Sequence, residues 1–422
     1  MNVLVIGAGG REHAIIKALR RSSRVDEIYC APGNGGISVD AKCFPVPATD
    51  VDGICALAQE LKPDLVFVAP DDPLVLGMVD ALNEKGFRAF GPNKKAAQIE
   101  GSKVFSKNLM KKYGIPTADY EVFESSDAAM AYITERNEFP VVIKADGLAL
   151  GKGVIIANDI AEARAAISTI MEDRIFGESG SRVVVEQFLT GPEVSVLSFT
   201  DGKNVCPMVS SMDHKPAYDG NKGPNTGGMG TISPNPYYSD EIAERCMKEI
   251  FIPTVKAMAS EGAPFKGCLY FGLMLTKDGP KVIEYNCRFG DPETQVVLPR
   301  LKTDFMDVID AVIDEKLDEI EIEWSEGACA CVIIASGGYP GSYKKGYEIN
   351  GLDENGQVEG ADVYHAGTKF EDGKFLSNGG RVLGVTSTGA NTDEAVDNAY
   401  EAVKKIGFTD SFCRSDIGRL KF

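Results

Sequence analysis

The chain has 422 residues, too many for one compact hydrophobic core, so two to four domains are expected. Hydrophobic residues make up 44% and charged residues 25%, the balance of an ordinary globular protein. The formal net charge of −18 disfavours non-specific binding to nucleic acid or to an anionic membrane surface. No apolar stretch reaches the length of a membrane span, and the first residues read as a strand, unlike a signal peptide. We therefore expect a cytoplasmic protein with no nucleic-acid partner and no membrane partner.

The ten cysteines are scattered and include no CxxC pair. This spacing disfavours a disulfide framework or a zinc site and suits a reducing compartment.

The first hundred residues alternate short apolar runs with helical patterns. Strands are predicted at residues 2–6, 27–30, 65–68 and 88–90, and a helix at residues 11–20. Strands that alternate with helices indicate a parallel sheet. The turn-rich segments APGNGG (residues 31–36) and APDDP (residues 69–73) follow two of these strands. They are expected at the carboxyl ends of the strands, where open α/β sheets bind ligands.

The segment GAGGREH (residues 7–13) begins like a dinucleotide-binding fingerprint, but Glu12 stands at the third glycine position. A glutamate there would disturb the close helix–strand packing that glycine permits, so an NAD site is disfavoured. Two interpretations stay open. The turn presents backbone N–H groups to an anion with Arg11 beside it, or it is a tight turn without a ligand.

The sequence pattern changes after residue 101. A helix is predicted at residues 102–112, strands at 141–144, from 154, at 182–186 and at 194–199, then a helix at 240–261 and strands at 268–275 and 281–285. The stretch 211–236, rich in glycine, proline and aspartate, is interpreted as a long functional or disordered loop. A run at residues 328–335 opens a small α+β unit.

The loop ADGLALGKG (residues 145–153) directly follows Lys144. It does not match a Walker phosphate loop, because Gly153 stands where Ser or Thr is required and a strand follows. One interpretation is a hairpin that folds over a triphosphate, with Lys144 and Lys152 as point charges. A plain hairpin turn is the other.

Glu284, Asn286 and Arg288 alternate along one strand and could share a face. A carboxylate and an amide oxygen suit Mg²⁺, and an arginine beside them could hold a substrate carboxylate or the transferring phosphoryl group. An exposed polar strand face is the alternative. Of the three histidines, only His214 is expected to contact substrate, whereas His13 and His365 are expected to be structural.

Nine stretches carry a resemblance to a known family: GAGGREHA, APGNGG, FGPNKKAAQIEGSK, VVIKADGLALGKGV, MDHKPAYDGNKGPNTGGMG, VIEYNCRFGDPETQ, HAGTK, NGGRVLGVT and CRSDIG. Together they resemble the glycinamide ribonucleotide synthetases (phosphoribosylamine–glycine ligases) of the ATP-grasp superfamily. The resemblance implies a multidomain α/β (α+β) protein. It has an N-terminal parallel-sheet α/β domain (residues 1–102), a central ATP-grasp fold of two subdomains (103–326, with a lid at about 117–190) and a small C-terminal α+β domain (327–422).

The same resemblance implies a reaction. ATP phosphorylates the carboxylate of glycine, and the amine of 5-phosphoribosylamine attacks the glycyl phosphate. The products are glycinamide ribonucleotide, ADP and phosphate, in de novo purine biosynthesis. Another ATP-grasp carboxylate–amine ligase is the alternative. Mg²⁺ or Mn²⁺ is the implied metal, and a monomer or weak homodimer is expected.

The resemblance also implies residue roles. The ATP-binding candidates are Lys103, Lys144, Gly147, Gly151, Lys152, Gly153, Glu186, Leu189 and Glu193. Glu284 and Asn286 would hold the metal, and Arg288 would be catalytic. Charge complementarity makes Asp213 and Arg288 candidates for glycine, with His214 nearby. The phosphoribosylamine candidates are Gly9, Gly10, Arg11, Glu12, Asn34 and Gly35. The strand before Glu284 carries no acid over residues 270–275, so only two protein ligands to the metal are expected.

Overall fold

A computed structural model describes residues 1–148, 153–173 and 177–419 of the chain. The first hundred residues form a five-stranded sheet of order β3-β2-β1-β4-β5, in which every pair is parallel. The elements are β1 (Asn2–Gly7), α1 (Gly10–Arg20), β2 (Glu27–Pro32), α2 (Ile37–Asp40), β3 (Lys42–Cys43), α3 (Val51–Leu61), β4 (Leu65–Val68), α4 (Asp71–Leu76), α5 (Met78–Glu84), β5 (Ala89–Phe90) and α6 (Lys94–Gly101). The predicted parallel sheet is confirmed.

The next segment forms a small antiparallel sheet of order β6-β9-β7-β8, which we call the lid sheet. The elements of this segment are α7 (Lys103–Tyr113), β6 (Tyr120–Phe123), α8 (Ser126–Arg136), β7 (Val141–Ala145), β8 (Val154–Ala157), α9 (Ile160–Ile167), a π-helical turn (Ser168–Glu172), a 3₁₀ turn (Gly177–Gly180) and β9 (Val183–Gln187). Helices α8 and α9 bury Ala129, Ile133 and Ala163 against Ile143 and Val185 of the sheet, which gives the lid a core of its own.

Residues 193–286 supply the elements β10 (Glu193–Asp201), β11 (Val205–Pro207), β12 (Met212–Asp213), β13 (Pro216–Tyr218), β14 (Lys222–Asn225), β15 (Gly230–Ser233), α10 (Asp240–Cys246), α11 (Ile252–Ser260), β16 (Lys266–Thr276) and β17 (Gly279–Asn286). A π-helical turn (Met247–Phe251) joins α10 to α11. Pro253 lacks the N–H that a regular helical ladder needs, and the π turn lies just before it. Strands β11-β10-β16-β17 form the central sheet.

The remaining elements are α12 (Thr294–Val297), a 3₁₀ turn (Leu298–Arg300), α13 (Phe305–Ile313), a 3₁₀ turn (Leu317–Glu319), β18 (Ala328–Ser336), β19 (Asp362–His365), β20 (Thr368–Glu371), β21 (Lys374–Ser377), β22 (Arg381–Gly389), α14 (Thr392–Val403) and β23 (Ser411–Phe412). Strands β18, β19, β22 and β23 join β12 and β15 in an antiparallel sheet of order β12-β15-β18-β22-β19, with β23 paired to β18, and α14 packs on this sheet. Strands β20 and β21 form a separate hairpin.

The prediction of a loop over residues 211–236 is wrong. Two short strands from this segment, β12 and β15, join the sheet of the C-terminal region, and β13 pairs with β14 as a hairpin. Strands of two to four residues are too short to show a period-2 pattern, and β15 also pairs with β18, which lies far along the chain, so the sequence carries no local signal for them.

The N-terminal sheet and the central sheet share their cores. On one face, Leu4 and Val66 lie in the same buried cluster as Phe271 and Leu273. On the other face, Phe67 stacks on Phe90 at 4.5 Å, in a cluster that extends to the central sheet and α13. This shared packing makes a rigid floor for the site. Every cysteine is a free thiol, and no helix in the described ranges is long and apolar enough to cross a membrane.

Candidate active site

A cavity of about 440 Å³ is bounded by the lid sheet, the central sheet and α7. It brings together most of the residues predicted from the sequence: Arg11, Lys103, Lys144, Gly147, Gly153, Glu186, Leu189, Glu193, Asp213, Glu284, Asn286 and Arg288. Two further ATP-binding candidates, Gly151 and Lys152, lie outside the described residues.

The start of α7 is fastened to the end of β7. Ser102 caps the helix by accepting the Phe105 N–H, and its hydroxyl donates to Oδ1 of Asp146 at 2.9 Å. Lys103 then donates from Nζ to the Gly147 carbonyl at 2.8 Å. Burial lowers the pKa of Lys103, although the negative charge of Glu284 opposes the shift. The loop after β7 therefore begins at a fixed point, with a lysine ammonium against its backbone.

Glu186 joins two buried lysines. Its Oε2 lies 2.9 Å from Nζ of Lys107 and 3.0 Å from Nζ of Lys144, and the carboxylate is only 4% exposed. Burial lowers the pKa of Lys107 to about 8, against the attraction of Glu186. The other oxygen, Oε1, is buried and has no hydrogen-bond partner within the described part of the chain. A buried acceptor without a donor indicates that the cavity is built for a ligand with hydrogen-bond donors.

Glu284 is held as an anion by a ring of cations. Burial by itself would raise its pKa, but Lys215, Lys144, Lys103 and Arg288 outweigh burial and lower the pKa to about 2. Among them, Lys215 has its Nζ 3.4 Å from Oε1 of Glu284. Several ammonium groups around one carboxylate form a pocket suited to a polyphosphate with a divalent cation.

The residues fit a hard divalent cation with few protein ligands. Glu284 and Asn286 lie two residues apart on β17, and the facing strand positions are Gly272 and Tyr270. Across the described ranges, no group of three His, Cys, Asp or Glu side chains could hold a metal by itself. Two oxygens from the protein suit Mg²⁺, which commonly keeps waters and phosphate oxygens as its other ligands.

Arg288 lies beside Asn286, as the strand alternation predicts. Its Nη2 donates to Oδ1 of Asn286 at 3.1 Å and lies 3.0 Å from Oε1 of Glu100. Glu100 also accepts the Cys287 N–H at 2.7 Å, so the last residue but one of α6 braces the end of β17. Burial raises the pKa of Glu100, and the charge of Arg288 opposes this. Nε of Arg288 is buried without an acceptor in the described chain.

His214, an expected substrate contact, does not line the cavity. Its Nδ1 lies 3.0 Å from the Gly230 carbonyl, and its Nε2 accepts the Gly418 N–H at 3.1 Å. Burial lowers its pKa to about 4. Both ring nitrogens are engaged by backbone groups, so the structure gives His214 a structural position instead.

Asn34 and Gly35, which the sequence analysis offered for phosphoribosylamine, form a junction with the C-terminal region. The Asn34 amide donates to the carbonyls of Ala8 and His365, and its oxygen accepts two backbone N–H groups. Gly35 donates to the Thr368 carbonyl at 3.1 Å. A Cβ at Gly35 would approach the Lys369 carbonyl carbon to 2.5 Å. Glycine is required here by close packing between backbones, and the turn does not line the cavity.

The turn at residues 9–12 is closed by its own glutamate. Oε2 of Glu12 accepts the Gly9 N–H at 2.5 Å, and Oε1 accepts Nε of Arg11 at 2.6 Å. The carboxylate therefore occupies the helix N-terminus that a dinucleotide phosphate would need. Gly9, Gly10 and Glu12 do not line the cavity, whereas Arg11 does, donating to the Phe289 carbonyl at 3.2 Å.

Several cavity residues were not found from the sequence: Asp71, Glu100, Lys107, Lys215, Tyr270, Asp291, Glu293 and Arg381. Arg381, on β22, binds the carbonyls of Gly227 and Asp291 at 2.8 and 2.9 Å and pairs with the Asp291 carboxylate at 3.2 Å. It joins the C-terminal sheet to the mouth of the cavity. Arg381 lies in the motif NGGRVLGVT, and Asp291 and Glu293 lie in the motif GDPE. The motifs alone do not show the roles of these residues, because the roles depend on contacts between distant segments.

The C-terminal segment holds one wall of the cavity. The buried Arg414 donates to the Pro216 carbonyl and to Oδ1 of Asn221, both at 3.0 Å, and pairs with Asp416 at 2.7 Å. These contacts fix the β13–β14 hairpin, whose last residue, Asn225, lines the cavity. The CRSDIG motif therefore acts on the site through the hairpin.

A lid sheet and a central sheet that enclose lysines and a Glu-x-Asn strand define the ATP-grasp class of folds. In agreement, the chain resembles the biotin carboxylase domain of a 2-oxoglutarate carboxylase from Hydrogenobacter thermophilus, solved with MgADP, ADP and bicarbonate. The structural similarity has a TM-score of 0.74 at 16% identity over 97% of this chain and 91% of that one. Because the identity is low, this similarity supports the fold only.

Sequence profiles of phosphoribosylglycinamide synthetase match the chain in three parts: the N domain at residues 1–100, the ATP-grasp (A) domain at 101–294 and the C domain at 329–420. The phosphoribosylamine–glycine ligase of Caldanaerobacter subterraneus subsp. tengcongensis is 49% identical over 99% of both chains. That of Halalkalibacterium halodurans is 50% identical over 99% of this chain and 96% of its own. The crystal structure of the Thermotoga maritima ligase has a TM-score of 0.85 at 34% identity, covering 99% of this chain and 100% of that one. The chain therefore belongs to the phosphoribosylglycinamide synthetase family.

Proposed function

We propose that the protein is an ATP-dependent ligase that joins glycine to 5-phosphoribosylamine and releases glycinamide ribonucleotide, ADP and phosphate. The observation that carries this proposal is the anionic Glu284 among Lys103, Lys144, Lys215 and Arg288 at the end of β17. Several cations near a carboxylate proposed to bind a metal suit the transfer of a phosphoryl group to a carboxylate. The identity of the acid and of the amine comes from the relatives named above.

In the proposed reaction, the adenine contacts the apolar cavity residues Val142, Ile156 and Met274, and the cavity residues Glu186 and Leu189 bind its polar edge. Glu193, at the first position of β10, is placed for the ribose hydroxyls. Lys103 and Lys144 neutralise phosphate oxygens, which lowers the charge repulsion met by an incoming carboxylate. These roles follow from position and charge.

Glu284 and Asn286 would hold a divalent cation, Mg²⁺ or Mn²⁺, which supplies charge neutralisation of the phosphate oxygens when bound. Arg288, next to Asn286, is placed to bind the glycine carboxylate and the phosphoryl group that it receives. The proposed domains remain those of the sequence analysis, residues 1–102, 103–326 and 327–422, although β12 and β15 lie in the sheet of the third.

The test is ADP formation with each substrate omitted in turn. We expect rapid ADP release only when ATP, a divalent cation, glycine and phosphoribosylamine are all present. Replacing glycine by another small carboxylate, or phosphoribosylamine by another amine, should abolish release. Full activity with a different acid or amine would establish another ligase of the same class.

A further inference from the structure

The hairpin of β13 and β14 meets the cavity at its base. Lys215 directly precedes β13 and Asn225 ends β14, and both line the cavity together with Thr226. The Lys215 carbonyl accepts the Thr226 N–H at 2.9 Å and the Thr226 hydroxyl at 2.7 Å, which joins the two sides of the base. Residues 218–225 are all exposed, so a hydrophobic core does not hold them. A two-stranded hairpin of this kind has little stability of its own and depends on contacts with other segments.

Arg414 supplies the main contacts to the hairpin from the C-terminal end of the chain. Its guanidinium donates from Nη1 to the Pro216 carbonyl and from Nη2 to Oδ1 of Asn221, both at 3.0 Å. The same group binds both oxygens of Asp416, with Nε 2.7 Å from Oδ1 and Nη2 3.0 Å from Oδ2, which fixes its plane. Arg414 is only 1% exposed, so water does not compete for these hydrogen bonds. One buried side chain therefore ties the base of the hairpin to its turn.

The segment that carries Arg414 is itself anchored in the C-terminal sheet. Strand β23, which ends two residues before Arg414, pairs with β18. The Tyr400 hydroxyl, on α14, donates to the Arg414 carbonyl at 2.8 Å. From the same segment, Asp416 accepts the Gly220 N–H at 2.7 Å. The hairpin is thus attached at its base and at its turn to a fixed support.

The base of the hairpin sets the position of Lys215. The carbonyl that Arg414 holds belongs to Pro216, the next residue along the chain. The Lys215 side chain is 33% exposed, and its Nζ lies 3.4 Å from Oε1 of Glu284. Because a lysine side chain is flexible, the place of its ammonium depends on where the backbone is held. Arg414 does not line the cavity, so any effect that it has on the reaction passes through the hairpin.

We propose that Arg414 is a positioning residue for phosphoryl transfer. It holds the Pro216 carbonyl and so keeps the Lys215 ammonium beside Glu284, where the polyphosphate is proposed to bind. This inference rests on the proposed function. It gives the C-terminal segment a part in the reaction, although Arg414 lies outside the cavity. It also predicts that the effect of changing Arg414 depends on the presence of Lys215.

The experiment is a double-mutant cycle on kcat/KM for ATP, measured by steady-state ADP release from the full-length enzyme. Arg414→Lys keeps the charge opposite Asp416, but one ammonium cannot reproduce the planar fork that reaches Pro216 and Asn221 together. We expect this substitution to lower kcat/KM at least about fivefold. Added to Lys215→Met, it should lower kcat/KM by less than about a further twofold, because the ammonium that it positions is already absent.

Asn221→Gly is a milder second variant. Asn221 has a φ of 54°, a conformation that glycine adopts readily, so the variant should fold while it loses the acceptor for Arg414. We expect a loss of about threefold in kcat/KM for ATP, which should again disappear when Lys215→Met is present. Arg419→Lys changes an exposed arginine of the same segment, paired with Asp397, and is the matched control that should behave like the wild type. Thermal melts establish that each variant is folded.

Losses that multiply in the double variants would overturn the inference and leave the proposed function standing, because Arg414 would then be a general brace. Wild-type kcat/KM in a folded Arg414→Lys would also overturn it, as would wild-type kcat/KM in Asn221→Gly if Arg414→Lys does not fold. If the wild type releases no ADP with glycine and phosphoribosylamine, the proposed function is rejected and the inference with it.

Discussion

The Nζ of Lys215 lies 3.4 Å from Oε1 of Glu284 and 3.9 Å from Oε2 of Glu193. One ammonium thus joins the carboxylate proposed for the metal to the carboxylate proposed for the ribose. The charge of Glu284 is the largest cause that raises the pKa of Lys215 well above its usual value. Lys215 follows β12, in the segment that the sequence analysis interpreted as a loop, and it occupies the centre of the proposed phosphate site.

Lys215→Met should therefore weaken ATP binding and turnover together. The neutral side chain removes one cation from the phosphate site and leaves Glu284 and Glu193 without their link. We expect kcat/KM for ATP to fall at least tenfold, as measured by steady-state ADP release. Lys215→Arg, which keeps the charge, should recover part of the loss. Wild-type values of kcat/KM for ATP in Lys215→Met would contradict the placement.

Glu284→Gln tests the metal site. The amide keeps the shape but loses the charge that anchors a divalent cation, so turnover should fall roughly 10²-fold or more at saturating Mg²⁺. The circular dichroism spectrum should be unchanged. The double variant Glu284→Gln/Asn286→Asp is the complementary test, because it restores a carboxylate two residues along the same strand. Near-normal activity of Glu284→Gln would show that Glu284 is not a ligand.

The stability of Glu284→Gln in the absence of metal tests how strongly the neighbouring cations stabilise the Glu284 carboxylate. The folded pKa of Glu284, about 2, is below the ordinary value of 4.5. A lowered carboxyl pKa contributes stability that is complete above pH 4.5 and is lost as the pH falls towards 2. Because part of the side chain reaches solvent, we expect Glu284→Gln to reduce the free energy of unfolding by about 2 kcal/mol at pH 7. Urea unfolding measures it, and an equal or greater stability of the variant would contradict the account.

Arg288→Lys tests carboxylate recognition. Lysine keeps the charge but not the planar fork that matches a carboxylate. We expect the KM for glycine to rise at least tenfold while the KM for ATP changes by less than about twofold. If Arg288 only braces Glu100, the variant would lose stability and the KM values of all three substrates would change together. Separate substrate titrations and a thermal melt distinguish the two cases.

The three histidines predict an acid-labile fold. Burial lowers the pKa of His13 and sets those of His214 and His365 at about 4 and about 3. Below pH 6.5 the unfolded chain binds protons that the folded chain does not, so stability falls as the pH falls. Each histidine contributes up to about 1.4 kcal/mol per pH unit. Urea unfolding at pH 7.5, 6.0 and 5.0 should show the decline, and His214→Gln should reduce its slope by about a third. A flat profile would contradict the neutral assignments.

The sequence predicted the elements that carry local periodicity. Strand β1, helix α1 and strand β17 lie within a few residues of their expected positions, because buried strands and amphipathic helices leave patterns in neighbouring residues. The parallel order of the N-terminal sheet followed from alternating strands and helices. The short strands β12 and β15 left no such pattern, since they are only two and four residues long and β15 pairs with β18, which lies far along the chain.

The site residues also divide into those with a local sequence pattern and those whose position depends on distant contacts. The alternation of Glu284 and Asn286 along β17 was sufficient to place them on one face of the strand, and Arg288, two residues beyond the end of the strand, contacts Asn286. His214 and Asn34 were offered as substrate contacts because they lie in glycine-rich motifs, but their polar atoms are used by the backbone of distant segments. Glu100 and Arg381 could not be found, because their value depends on burial beside Arg288 and Asp291. A sequence motif indicates that a residue has a role, but only the tertiary contacts show which groups it interacts with.

The central claim is that the protein activates the glycine carboxylate by phosphorylation. The most direct test is a reaction with glycine labelled with ¹⁸O in both carboxylate oxygens, together with ATP, Mg²⁺ and phosphoribosylamine, followed by mass spectrometry of the released phosphate. The account predicts one ¹⁸O atom in each inorganic phosphate, because the carboxylate oxygen that attacks ATP leaves with the phosphoryl group when the amine displaces it. Unlabelled phosphate formed at the full rate of amide synthesis would contradict it.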